Sequence, residues 1–333
     1  MSGKLLSDSV RIILVHGMAS KPDESRLLNL WSEALVGSLE LDGGRFAARI
    51  RDDEALIESA YWADAVPDHL PDLPGAVQGM RGSLEKALAV RRKHGDAMHI
   101  GEDGWTSERV RRFGADVIEA LSMSLSVRAE AFSEHLWELQ RYHVDSGVAD
   151  RIRKPLEDAL RACWDAGRSA IVLAHSLGAA VAYDVLWRFA HRGEAEFRRY
   201  RRHSVELLIT MGAPLADPTI QDVMLSGRWL RERNAANAAR RRRAWLTNVR
   251  RWDNYSAIGD YVCHDLDMEK EFFVGMRKDL GTRHGRRELR DFRGLFNPYR
   301  EADGTPNPHK VFGYLIQPML ASRLCRRLKK LDG

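Results

Sequence analysis

Two kinds of hydrophobic pattern alternate along this chain. Short continuous apolar runs rich in β-branched residues predict buried parallel strands, and stripes at three- and four-residue spacings predict helices. The clearest junction of the two spans residues 169–189. Ala170-Ile171-Val172-Leu173-Ala174 is a strand pattern bounded by Gly167, and Leu177, Val181, Val185, Leu186 and Phe189 form a helical stripe just beyond it. Val10–Val15 is a second buried-type strand, and a helix introduced by Pro22 and Asp23 follows, with Leu27, Leu28, Trp31, Leu35 and Val36 on one face. Further strands are predicted over Ala55–Trp62, Ser204–Thr210, Trp245–Tyr255 and Glu288–Phe296, and a final amphipathic helix over Leu315–Leu328. Strands alternating with helices in this way predict an α/β fold around a mostly parallel sheet.

Residues 66–150 break the rhythm. They open with Pro67, Pro71 and Pro74 and continue as helical patterns near 80–94, 106–126 and 130–143. The gap between the strand patterns ending at Trp62 and starting at Ala170 exceeds one crossover helix. It predicts a helical insertion, either a cap over the carboxyl ends of the strands or a side layer with no gating role. Its last helix, Val148–Trp164, belongs to the crossover. The stretch 226–245 is rich in Arg and Ala and predicts a solvated helix or a basic loop. One domain over residues 1–333 accounts for all these segments.

Composition narrows the setting. The 333 residues carry a formal charge of +5, with basic clusters at Arg198–Arg202, Arg240–Arg243, Arg283–Arg290 and Arg326–Lys330. Such clusters are ordinarily solvated faces, with peripheral contact to anionic lipid as the partner they suit best. They lack the interleaved aromatic residues that nucleic-acid binding favours. The beginning of the chain is polar and the apolar run after it is too short for a secretory signal, and no uncharged stretch is long enough to span a membrane. The three cysteines, Cys163, Cys263 and Cys325, show neither disulfide nor metal spacing, so a cytoplasmic setting is expected. His94, His99, His135 and His143 fall in the insertion at spacings that match no compact metal site.

The junction at 169–189 carries the chemistry. A strand that becomes a helix within one residue strains that residue's backbone and requires small residues two positions away on either side. Ala174 and Gly178 are small, and Ser176 stands between them. Ala174-His175-Ser176-Leu177-Gly178 resembles the nucleophile elbow of the α/β-hydrolase family, normally Gly-x-Ser-x-Gly, with Ala in the first place. The resemblance implies an α/β-hydrolase fold with Ser176 as nucleophile. It also implies that the loop His16-Gly17-Met18 after the first strand supplies one oxyanion N–H, from Met18, and Leu177 the other, while His16 braces the turn. Met211-Gly212-Ala213-Pro214 resembles a turn found in lipase-like members. In the family the acid lies in a loop past a late strand, where Asp260 stands; Asp253, Asp265 and Asp267 are its rivals. The base precedes the last helix, often with a Tyr a few residues on. His309 fits that place, before Tyr314, against His264 and His284. The order Ser176, Asp260, His309 is the family's own. The implied activity is that of a serine hydrolase cleaving a carboxylic ester or thioester, including lipid acyl esters, with no metal and no cofactor. The competing expectation is a non-catalytic relative that binds through its basic surface.

Overall fold

The computed structural model describes residues 5–18, 21–42, 44–66, 74–100, 118–119, 142, 145–232, 241–263, 267–281 and 288–332. Six strands form one sheet: β1 Val10–Val15, β2 Ile57–Ser59, β3 Ser169–His175, β4 Val205–Met211, β5 Arg251–Ala257 and β6 Glu288–Leu295. Every pairing is parallel, in the order β2-β1-β3-β4-β5-β6. Helices cover both faces, as an all-parallel sheet requires. They are α1 Glu24–Leu41, α2 Arg45–Arg51, α3 Pro74–His94, α4 Ser146–Asp165, α5 Leu177–His191, α6 Ala195–Arg198, α7 Pro218–Val223, α8 Leu225–Glu232, α9 Val274–Leu280, α10 Val311–Leu315 and α11 Pro318–Leu331.

Side chains alternate along each strand between two cores, the period-two geometry of a strand. Ile13, Val15, Ala170, Val172 and Ala174 pack with Ile152, Leu156 and Leu160 of α4 and with Val181, Val185 and Phe189 of α5. Ile12, Leu14, Ile171 and Leu173 pack with Leu30, Trp31 and Leu35 of α1 and with Leu320, Leu324 and Leu328 of α11. The β1–β3 pair is buried apart from Arg11 and Ser169, and it marks the point where the chain, having wound toward β2, reverses toward β4. Such a reversal opens a crevice at the carboxyl ends of the strands, the usual place for a site in an open α/β sheet.

A buried polar group ties α5 to its surroundings. Asp184 accepts from Tyr142 Oη (2.8 Å), from Arg153 Nη2 of α4 (3.3 Å) and from the Leu225 N–H that opens α8 (2.9 Å). The carboxylate is fully buried, so these partners are what make its charge tolerable there.

Several boundaries differ from the sequence expectation. The strand expected over Ala55–Trp62 is cut to Ile57–Ser59, because beyond Ala60 the backbone turns to bond the loop after β1. The strand expected within Trp245–Tyr255 runs from Arg251 to Ala257. The expected helix Leu315–Leu328 is two helices: Pro318 has no N–H to give and begins α11 at its first turn, with Gln317 as the break. α3 starts at Pro74 rather than near 80, again with proline in the first turn, and it packs against α1. The helical patterns at 106–126 and 130–143 lie outside the described residues apart from residues 118–119 and 142. Of the basic stretch 226–245, the described part is helix α8 and a turn at Arg242–Ala244. Among the described residues no helix is long and apolar enough to cross a membrane.

Candidate active site

β3 delivers the chain to Ser176 at the crevice. Ser176 takes φ 55° and ψ −132°, and among the described residues it is the non-glycine with positive φ. An L-residue is strained there, and the packing around it must hold it in place. Gly178 is small for a measurable reason: a Cβ at that position would come within 2.4 Å of the His16 carbonyl oxygen and 2.7 Å of that of Val15. A Cβ on Gly17 would lie 2.6 Å from Ser176 Cβ. The end of β1 and the turn after β3 are therefore pressed together, which is why both loops carry glycine.

The structure brings Ser176, His309 and Asp260 into one hydrogen-bonded line. His309 Nε2 is 3.0 Å from Ser176 Oγ, and His309 Nδ1 is 2.9 and 3.0 Å from the two carboxylate oxygens of Asp260. The three side chains come from separate segments: the β3–α5 turn, the loop after β5 and the loop before α10. Asp260 is fully buried, and Ser176 and His309 are buried with it. Burial alone pushes the Asp260 pKa up. The His309 ring and the hydrogen bonds from His309, Tyr314 and the Val262 N–H outweigh it and hold the carboxyl below its usual range. Asp260 is thus a carboxylate, and as an acceptor it fixes the proton of His309 on Nδ1, leaving Nε2 free to accept from Ser176.

The loop carrying His309 is pinned on both sides. Asn297 Nδ2 donates to the carbonyls of Pro308 (2.8 Å) and Lys310 (2.9 Å), and the His309 N–H donates to Asn307 Oδ1 (3.1 Å). His175 Nε2 donates to the His309 carbonyl at 2.7 Å. Burial, and then the neighbouring His309, hold His175 well below the usual imidazole range, so it sits here neutral with its proton on Nε2. The Tyr261 ring lies 5.1 Å from the His309 ring.

His16 faces elsewhere. Its Nε2 accepts from the Trp62 N–H (3.0 Å), its Nδ1 donates to the Gly17 carbonyl (2.8 Å), and its ring stacks on Trp62 at 4.5 Å. It braces the loop that carries Met18. Met18 lines the same cavity as Ser176, and Leu177 is the first residue of α5. First-turn N–H groups have no intrahelical acceptor, and the helix dipole favours negative charge beside them.

The rivals for the acid are placed otherwise. Asp253 lies on β5 and is bound by Arg323, whose Nη2 is 2.7 Å away. Asp267 accepts from the Lys270 N–H and from Arg293. Asp265, His264 and His284 lie outside the described residues, as do His135 and His143. His99 bonds the Arg293 carbonyl, away from the cavity. No local pattern marks the parts played by Asn297, His175 and Tyr261, since each acts through a contact with a distant segment. Tyr314 stands in the expected place and bonds Asp260. Among the described residues no three His, Cys, Asp or Glu side chains converge as a metal site would require.

The cavity at Ser176 has a volume of about 170 Å³. Comparison with known proteins found no matching family model, no matching curated protein and no matching solved structure.

Proposed function

We propose that this chain is a serine hydrolase of the α/β-hydrolase type that cleaves a carboxylic ester or thioester through an acyl-enzyme. One observation carries the reading: the unbroken line from Ser176 Oγ through the His309 ring to Asp260. A serine hydroxyl is a weak nucleophile near neutral pH and needs an adjacent base. As Ser176 Oγ bonds to the substrate carbonyl carbon, His309 Nε2 takes its proton. Asp260 keeps the other ring nitrogen protonated and stabilises the imidazolium. The carbonyl oxygen becomes an oxyanion that receives the N–H groups of Leu177 and Met18, each worth on the order of 3 kcal/mol of barrier. Collapse breaks the bond to the leaving alcohol or thiol, which takes the proton from His309. Water activated by His309 then releases the acid and frees Ser176.

The strain at Ser176 supports the same reading. A serine that merely capped α5 would accept from an N–H of the first turn, and Ser176 makes no such side-chain bond. The competing role, a non-catalytic binding protein, leaves that strain and the buried triad without a use.

A fluorophosphonate probe tests this. The wild-type chain should label covalently and Ser176→Ala should not, with its circular dichroism unchanged. His309→Ala should lower turnover of an activated ester by several powers of ten. Labelling that persists in Ser176→Ala would sink the assignment.

A further inference from the structure

The cavity beside Ser176 has two unlike ends. One is deeply buried and apolar: Leu27 and Trp31 of α1 and Val311 and Phe312 of α10 line it, with Trp31 only 2% and Phe312 only 1% exposed. Met80 of α3, half-buried, also lines the cavity. The other end is a half-exposed polar rim of Tyr261, Asn307 and Lys310, on the His309 side.

We infer, resting on the hydrolase reading above, that the enzyme is selective for esters of short acyl chains, up to about six carbons, and that Trp31 and Phe312 set this limit. The direction follows from the chemistry. The leaving group takes its proton from His309 Nε2, so it must sit on the His309 side, at the open rim. The acyl chain is left the buried end. The size follows from the volume. A dry cavity of about 150 Å³ holds one benzene ring, that is six carbons. The cavity here is about 170 Å³ with its rim included, so its buried end holds no more than that. Its end is walled by aromatic rings packed in the core between α1, α10 and the sheet, which do not yield cheaply to a longer chain. Among the described residues the rim is formed by half-exposed side chains and not by buried rings, so the alcohol or thiol half of the substrate is the less confined one.

Two ester series separate the halves of the claim. In one, the acyl chain of a p-nitrophenyl ester runs from two to twelve carbons. In the other, acetate is fixed and the alkyl alcohol lengthens. The expected result is a kcat/KM optimum at four to six acyl carbons, a fall of at least tenfold by ten carbons, and a change of less than about threefold along the alcohol series. Trp31→Leu and Phe312→Leu, each with unchanged circular dichroism, should move the acyl optimum up by two or more carbons. Wild-type preference for ten or twelve acyl carbons, steep dependence on the alcohol instead, or an unmoved optimum in both variants would overturn the inference. Labelling of wild-type protein by a small fluorophosphonate is run beside the series. With labelling present, these outcomes bear on chain selection alone; with labelling absent, the hydrolase reading fails and selection falls with it.

Discussion

Tyr314 Oη donates to Asp260 Oδ2 at 2.5 Å, from the first helix after the His309 loop to the loop after β5. The same hydroxyl accepts from the Ala257 N–H at 3.0 Å, at the end of β5. One phenol therefore fixes the carboxylate against the strand that delivers it. Burial pushes the Tyr314 pKa well above its ordinary value, so the group stays a donor. A hydrogen bond to a charged group contributes about 1.5–3 kcal/mol, and a buried orphaned donor adds its own penalty.

Tyr314→Phe should therefore lower unfolding free energy by about 2 kcal/mol in urea denaturation. It should also lower kcat/KM about tenfold, because Asp260 loses the phenol that holds its Oδ2 and its aim loosens. The two effects have to appear together. A variant with normal turnover and a large loss of stability would reduce Tyr314 to a structural tie.

The sheet and the elbow were legible for one reason. A run such as Ala170–Ala174 has no polar position, so both its faces must be covered, and only a central parallel strand meets that demand. The small residues flanking Ser176 then mark the turn, and the clash distances at Gly17 and Gly178 give the steric cause. Asp260 was harder to choose among its rivals, because its role depends on where β5 ends relative to β4 and on a phenol more than fifty residues downstream. Asp253 is as buried as Asp260, and only the Arg323 partner, contributed by α11, distinguishes its task. Such pairings between distant segments leave no local pattern. The brevity of β2 had the same origin, a hydrogen bond from Trp62 to His16 across 46 residues.

Gly17 offers a direct test of the close approach between the two loops. An added Cβ would stand 2.6 Å from Ser176 Cβ and 3.1 Å from the His175 carbonyl oxygen, so one loop has to shift. The shift moves either Ser176 or the Met18 N–H proposed for the oxyanion. Misplacement by about 1 Å costs on the order of a hundredfold in rate. Gly17→Ala should accordingly lose about that factor in kcat while KM changes little. Fluorophosphonate labelling should slow in parallel, and near-ultraviolet circular dichroism or calorimetric melting should show a well-folded protein. Unchanged kcat in Gly17→Ala would mean that the two loops are not coupled in the reaction.

The last prediction concerns stability and pH. Asp291 on β6 accepts from Asn254 Nδ2 of β5 at 2.8 Å and from the Glu269 N–H at 3.3 Å. Burial raises its pKa to about 6, and these hydrogen bonds only partly counter it. A group whose pKa is higher in the folded chain stabilises the fold when protonated. That contribution is complete below the ordinary value of 3.8 and is lost as pH rises through about 6. The difference between the two values corresponds to at most about 3 kcal/mol. His191, which burial holds down at about 4, works in the opposite sense, as it resists protonation while the unfolded chain accepts it below 6.5. Wild-type stability alone would mix these slopes. Asp291→Asn removes one and leaves the other, so the difference in unfolding free energy between the two proteins isolates Asp291. Measured by urea denaturation from pH 3.5 to 7.5, wild type should lose up to about 3 kcal/mol relative to Asp291→Asn, with the change centred between pH 4 and 6 and flat above 7. A difference that stays constant over that range would show that Asp291 titrates alike in the folded and unfolded chain, and that its burial beside Asn254 is relieved in solution.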